Sequence, residues 1–121
     1  MIGYITLGTN DLERAAKFYD ALLGDMGAKR AMENERMIGW SAGAGTPMFV
    51  VIKPFDGSAA TAGNGTMISL FCPDHAKVDA MHAKALSLGG KDEGAPGPRG
   101  DSFYGGYFRD MDGNKLVFFN M

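Results

Sequence analysis

The feature that most constrains this chain is that it carries one pattern twice. A shift of 63 residues superimposes Tyr4 on Met67, Asp11 on Asp74, Phe18 on Met81, Leu23 on Leu86 and Gly27 on Gly90. Towards the end of each half the offset grows to 67, which pairs Trp40 with Tyr107 and Val50 with Val117. The added residues fall in the loop 94–101, Gly-Ala-Pro-Gly-Pro-Arg-Gly-Asp. Sequence identity between the halves is low. What recurs is an order of strand, cap, helix, glycine stop and further strands, which chance rarely supplies. A half of about 60 residues is marginal as an independent fold. Each half is therefore expected to bury its sheet face against the other half or against a second chain.

The local signals fit that order. Residues 2–8 are β-prone and bounded by glycine, Thr9-Asn10-Asp11 supplies a cap, and Asn10 with Glu13 has the spacing of a capping box. Leu12, Ala15, Ala16, Tyr19, Leu22 and Leu23 form one helical stripe, which Gly24 and Gly27 end. Short strands are expected near 28–32, 36–42 and 47–53. Residues 55–65 are rich in small residues and poor in anything that packs, and read as a linker. The pattern then restarts with a strand over 66–72, a cap at Pro73-Asp74, and a helix whose stripe is Val78, Met81, His82, Ala85 and Leu86. The expected fold is α+β, one domain over 1–121 with module one at 1–54, the linker at 55–65 and module two at 66–121. The segment 94–106 is long enough to be a mobile flap and equally readable as a surface hairpin.

Bulk properties narrow the function. A net charge of −2 with scattered basic residues argues against nucleic-acid binding, which wants a concentrated basic face. The single cysteine, Cys72, excludes an internal disulfide and a multi-cysteine zinc site. No run approaches the roughly 18–20 apolar residues of a membrane span, and the N-terminus lacks signal-peptide character. A cytoplasmic protein without nucleic-acid or membrane partners is expected.

The segment Ile5-Thr6-Leu7-Gly8-Thr9-Asn10-Asp11-Leu12-Glu13-Arg14-Ala15, followed by Phe18-Tyr19-Asp20 and Leu23-Gly24, resembles the opening strand and helix of the vicinal oxygen chelate superfamily. That superfamily includes glyoxalases, bleomycin-resistance proteins and extradiol dioxygenases. Tyr107-Phe108-Arg109-Asp110-Met111-Asp112-Gly113-Asn114-Lys115-Leu116 resembles its last hairpin, with Met111 where most relatives carry proline. The resemblance spans nearly the whole chain. It implies paired βαβββ modules forming curved mixed sheets around a cleft, often assembled as homodimers.

The resemblance also implies where a metal would stand: at Tyr4 and Met67 on the first strands, near Val50 on the last strand of module one, and at Val117 on that of module two. A phenol, a thioether and two valines are poor ligands for Zn²⁺, Fe²⁺ or Mn²⁺, so no metal and no cofactor is expected. Strand alternation places Tyr4 and Thr6 on one face, Met67, Ser69 and Phe71 on the equivalent face, and Val117 with Phe119 on a third strand. By the resemblance these faces look into the cleft. With Trp40, Tyr104, Tyr107 and Arg109 they make up the expected ligand-facing set, a largely apolar wall suited to a small organic molecule.

The remaining reactive residues read as structural. His75 is expected to face solvent, His82 to be packed on the second helix, and Cys72 to be inert in the core. Asp110-Met111-Asp112-Gly113 lacks the glycine and glutamate positions of an EF-hand loop and reads as a hairpin turn. The leading functional expectation is metal-independent binding of an organic ligand. The alternative is a glyoxalase-like lyase, isomerase or dioxygenase-related enzyme, drawing acid or charge-stabilising groups from Tyr4, Tyr104 and Arg109.

Overall fold

The computed structural model describes residues 1–121 and divides into two compact units, Met1–Thr61 and Ala62–Met121. The division falls inside the glycine-rich linker. No helix is long and apolar enough to cross a membrane.

The first unit runs β1 (Tyr4–Gly8), α1 (Leu12–Gly24), β2 (Lys29–Glu33), β3 (Met37–Ser41) and β4 (Met48–Ile52). Its sheet has the order β1-β4-β3-β2, with β1 and β4 parallel and the other pairs antiparallel. The chain crosses under α1 to the far edge and returns by two hairpins to lie beside β1. One face of the sheet carries Leu7, Ile38, Trp40, Phe49 and Val51, all buried. The stripe of α1 covers it: Tyr19 packs its ring 4.9 Å from Phe18, 4.9 Å from Phe49 and 5.8 Å from Trp40. Full burial of such side chains contributes about 1.5–3 kcal/mol each, which is why this face holds the core.

The cap of α1 falls within the expected Thr9-Asn10-Asp11, though not as a box between Asn10 and Glu13. Asp11 is the N-cap, its side chain accepting from the Arg14 N–H at 3.0 Å. Asn10 instead clamps the linker: it accepts from Ala60 N–H at 2.6 Å and donates to Ala60 O at 3.2 Å. A backbone partner 50 residues away outcompetes the local one, and local spacing carries no trace of it.

The second unit repeats the plan with β5 (Ile68–Phe71), α2 (His75–Ser87), β6 (Lys91–Arg99), β7 (Phe103–Arg109) and β8 (Lys115–Asn120). The sheet order is β5-β8-β7-β6, again with the outer pair β5–β8 parallel. Asp74 caps α2 as the sequence predicts, accepting from Lys77 N–H at 2.8 Å. Val78, Met81, His82 and Ala85 of α2 are buried over Phe108, Leu116 and Phe118. Residues 94–106 form a paired hairpin, Gly97 opposite Gly105 and Arg99 opposite Phe103, with register shifts near Gly94. The positive φ of +74° at Gly100 lets its turn close.

The two registers fix the repeat and correct one pairing. Trp40 lies opposite Phe49, whereas Leu116, the counterpart of Phe49, lies opposite Phe108. The structural partner of Trp40 is therefore Phe108, one residue beyond the Tyr107 that the sequence offset suggests. Val50 and Val117 remain equivalent, opposite Thr6 and Ser69 respectively.

Candidate functional site

With one face of each sheet taken by its helix, the chemistry lies on the opposite faces. In the first unit that face is built by strand alternation from Tyr4 and Thr6 of β1, Met48, Val50 and Ile52 of β4, Met37 and Gly39 of β3, and Met32 of β2. Tyr4, Thr6, Met32, Arg36, Met37, Met48, Val50 and Ile52 line a cavity of about 390 Å³. Tyr4 is 63% exposed, a large aromatic surface left in water. On the same face Met48 Sδ lies 2.9 Å from where a Gly39 Cβ would stand. The missing side chain is what admits the thioether. Arg36 sits at the rim, its Nε donating to Lys53 O at 3.2 Å and its guanidinium over the Phe55 ring at 5.4 Å. The three methionines are the contribution that sequence reasoning missed. Alternation along Met48-Phe49-Val50 would have revealed Met48, but Met32 follows a register shift in the β2–β3 pair and had no such signal.

In the second unit the equivalent face carries Met67, Ser69, Phe71, Val117, Phe119, Tyr107 and Arg109, all from the expected set. Phe103 joins them. Its ring stacks on Phe119 at 5.3 Å with an interplanar angle of 2°, and Phe71 meets Phe119 edge-on at 5.8 Å. Phe103 lies over Gly105, 2.6 Å from a Cβ built there, and beside Val117, which is fully buried. This face is an aromatic floor with Phe71 still exposed. At its other end Arg109, Lys115, Met67 and residues 62–66 line a more polar cavity of about 570 Å³.

Two expected members lie elsewhere. Trp40 is 1% exposed on the α1 side of its sheet, its indole Nε1–H donating to Asp20 at 2.9 Å. Tyr104 turns towards α2, stacked on His75 at 3.9 Å and donating its hydroxyl to Asp79 at 2.7 Å. That hydrogen bond pushes its phenol above the ordinary range. Both residues occupy the opposite parity from their strand neighbours Gly39 and Tyr107.

The structural readings of the other reactive groups agree with the geometry. His82 is buried, with Nε2 at 3.1 Å from Asp92 Oδ1 and 3.0 Å from Tyr107 O. Cys72 is buried, and burial pushes its thiol up. The loop after β7 is a turn closed around Asp110, with Gly113 at φ +85°. Arg109 is held by Glu93, Nε to Oε2 at 2.8 Å and Nη2 to Oε1 at 3.1 Å, which keeps that carboxyl below its usual range.

The positions at which the sequence resemblance implies metal ligands are Tyr4 and Val50 in the first unit and Met67 and Val117 in the second. Neither pair suits a hard or borderline divalent ion: each offers a single donor atom, a phenol oxygen or a thioether sulfur, and neither valine is exposed. No group of three or more His, Cys, Asp or Glu side chains stands anywhere in the fold in metal-holding proximity.

Comparison with known proteins fits this architecture. The sequence model of the Glyoxalase/Bleomycin resistance protein/Dioxygenase superfamily matches residues 1–118. A glyoxalase/bleomycin resistance protein from Albidiferax ferrireducens is 34% identical, with a TM-score of 0.90 over 100% of this chain and 98% of that one. A hypothetical protein from S. aureus is 28% identical with a TM-score of 0.79, covering 100% and 93%. Lactoylglutathione lyase from Agrobacterium tumefaciens, 19% identical, shares the fold with a TM-score of 0.74 over 98% and 92%. Among curated proteins nothing matches the sequence.

Proposed function

The chain belongs to the glyoxalase/bleomycin resistance protein/dioxygenase superfamily, and from that premise we propose that it is a metal-independent binding protein for a small, largely apolar organic molecule. One observation carries the reading. At the positions where family enzymes hold a metal, the first unit has a phenol and a valine on a face with Met32, Met37 and Met48, and the second has a thioether and a valine on a face with Phe71, Phe103 and Phe119. Thioethers are flexible and polarizable, and they reshape to varied apolar ligands and contact aromatic rings favourably. Thr6 in the first unit and Ser69 in the second each add a hydrogen-bonding point to an otherwise apolar face, the composition common to small-molecule sites.

The enzyme reading receives less support from the same geometry. Of the groups that could serve as acid or charge stabiliser, Tyr104 faces α2 and Arg109 spends two of its N–H groups on Glu93. Tyr4 stands exposed on the first unit's face without an acidic or basic partner beside it in the cavity other than Arg36.

A thermal-shift screen of aromatic and aliphatic compounds in the presence of a chelator tests the proposal. A binder at 100 times its dissociation constant stabilises the fold by about 2.7 kcal/mol. The expected result is such a shift in the chelated protein, lost when Val50→Lys puts a charge into the first unit's cavity. Stabilisation that appears only after Zn²⁺, Ni²⁺ or Fe²⁺ is added back would overturn it.

A further inference from the structure

The polar cavity of the second unit has a charge arrangement that folding alone does not call for. Lys91 pairs directly with Arg109, and Arg109 pairs directly with Lys115, across β6, β7 and β8. Three cations thus form one cross-strand row on one face. Like charges set directly opposite each other destabilise a sheet. Glu93 offsets part of this cost, but both its oxygens are taken by Arg109. Lys115 is left beside an aromatic ring, its Nζ 5.6 Å from the centre of Tyr107. Arg99 approaches the same ring at 5.4 Å, adding a further cation to the region.

Donors remain in this row. Of the five N–H groups of a guanidinium, Arg109 uses two on Glu93 and one on Gly113 O at 3.0 Å, so each Nη keeps one N–H. Lys115 brings an ammonium. Opposite them runs Gly63-Asn64-Gly65-Thr66, a turn closed by Thr66 N–H donating to Gly63 O at 3.2 Å. Glycine is needed at both positions: Thr66 Oγ1 lies 2.6 Å from where a Gly63 Cβ would stand, and Gly65 has φ +95°. The turn therefore brings bare backbone, an amide side chain and a hydroxyl up to two cations.

We propose that this cavity is an oxyanion-binding site, in which Lys115 and the free Nη hydrogens of Arg109 hold a carboxylate or phosphate group against the Gly63–Thr66 turn. Charge-assisted hydrogen bonds to such a group are the stronger kind, and guanidinium geometry suits both oxyanions. The site lies wholly within the second unit. It does not depend on the apolar ligand proposed above and stands or falls separately.

The test is ¹⁵N–¹H NMR of the full chain at low ionic strength, titrated with inorganic phosphate and, separately, with benzoate. Saturable shifts of the Gly63, Asn64, Gly65 and Thr66 amides are expected with at least one anion. Phosphate alone, benzoate alone or both would then identify which oxyanion the site takes. Binding should weaken roughly tenfold in Lys115→Met, as loss of a charge-assisted contact implies. It should recover in Lys115→Arg and stay unchanged in Lys17→Met of the first unit. The same spectra report whether each variant is folded. Linear, unsaturable shifts with both anions would overturn the proposal, as would saturable binding that Lys115→Met leaves intact.

Discussion

Replacing Trp40 by alanine is expected to lower the unfolding free energy by about 3–5 kcal/mol, the range for emptying a large aromatic site in a packed core. Trp40 is among the largest fully buried side chains, in contact with Tyr19 and opposite Phe49. Its indole N–H is satisfied by Asp20, whose carboxylate also takes Arg30 Nε at 2.9 Å and Nη2 at 2.7 Å. The hydrogen bond from Arg30 is the main reason that the Asp20 carboxyl lies below its usual range, with Trp40 lowering it further. The sign follows. A carboxyl lowered in the folded state stabilises the fold above the ordinary carboxylate range, and that contribution is lost as pH falls through the folded value. Urea unfolding followed by circular dichroism reads the variant, since Trp40 is the only tryptophan. Trp40→Phe should cost less, keeping most of the packing but leaving Asp20 one donor short. A loss for Trp40→Ala below about 1 kcal/mol, the scale of an ordinary substitution, would place the indole outside the core.

The second large effect is expected at the turn between β7 and β8. Asp110 Oδ1 accepts from the N–H of Asp112 and of Asn114, both at 2.9 Å, and Oδ2 accepts from Asn114 Nδ2 at 2.9 Å. Both Asp110 and Asn114 are buried. Asp110→Ala removes the acceptor from the buried Asn114 N–H and Nδ2 and from the part-buried Asp112 N–H, and loss of a buried hydrogen bond of this kind costs about 1–3 kcal/mol. A loss of about 3 kcal/mol in thermal or urea unfolding is expected, with Asp110→Asn recovering part of it through its one remaining acceptor. Added Ca²⁺ should leave the wild-type midpoint unchanged, because the carboxylate oxygens already serve the turn. A loss within the ordinary range of surface substitutions would mean that the turn holds itself without Asp110.

The same two residues mark how much was legible in the sequence. The Asp-Gly-Asn turn declares itself locally, because its hydrogen bonds join residues within four positions of one another. The duplication was equally legible, since strand alternation and helix periodicity survive low identity, and it placed Tyr4 with Met67 and Val50 with Val117 correctly. The offset of 67 pairs Trp40 with Tyr107, both in the expected ligand-facing set, whereas strand pairing makes Phe108 the counterpart of Trp40, on the helix side. The irregular β6–β7 hairpin moves β7 by one further residue, which exchanges the two faces of a strand. Tyr104 and Tyr107 could not both face the ligand, because three positions apart on one regular strand puts them on opposite sides. The role of Asn10 is hidden for a different reason: its partner Ala60 lies 50 residues away in the linker, and a linker's composition does not say what it docks on. The site's polar end went unnoticed because Lys91, Arg109 and Lys115 are scattered along the chain and become a row only through strand pairing.

Isothermal titration of chelator-stripped protein with Zn²⁺, Ni²⁺, Mn²⁺ and Fe²⁺ tests the absence of a metal-dependent site most directly. The side chains at Tyr4, Val50, Met67 and Val117 predict no saturable heat for any of the four ions. Stoichiometric binding with a dissociation constant at or below about 1 μM, weakened by Tyr4→Phe, would contradict the metal-free reading and restore the family's chelating site to this chain.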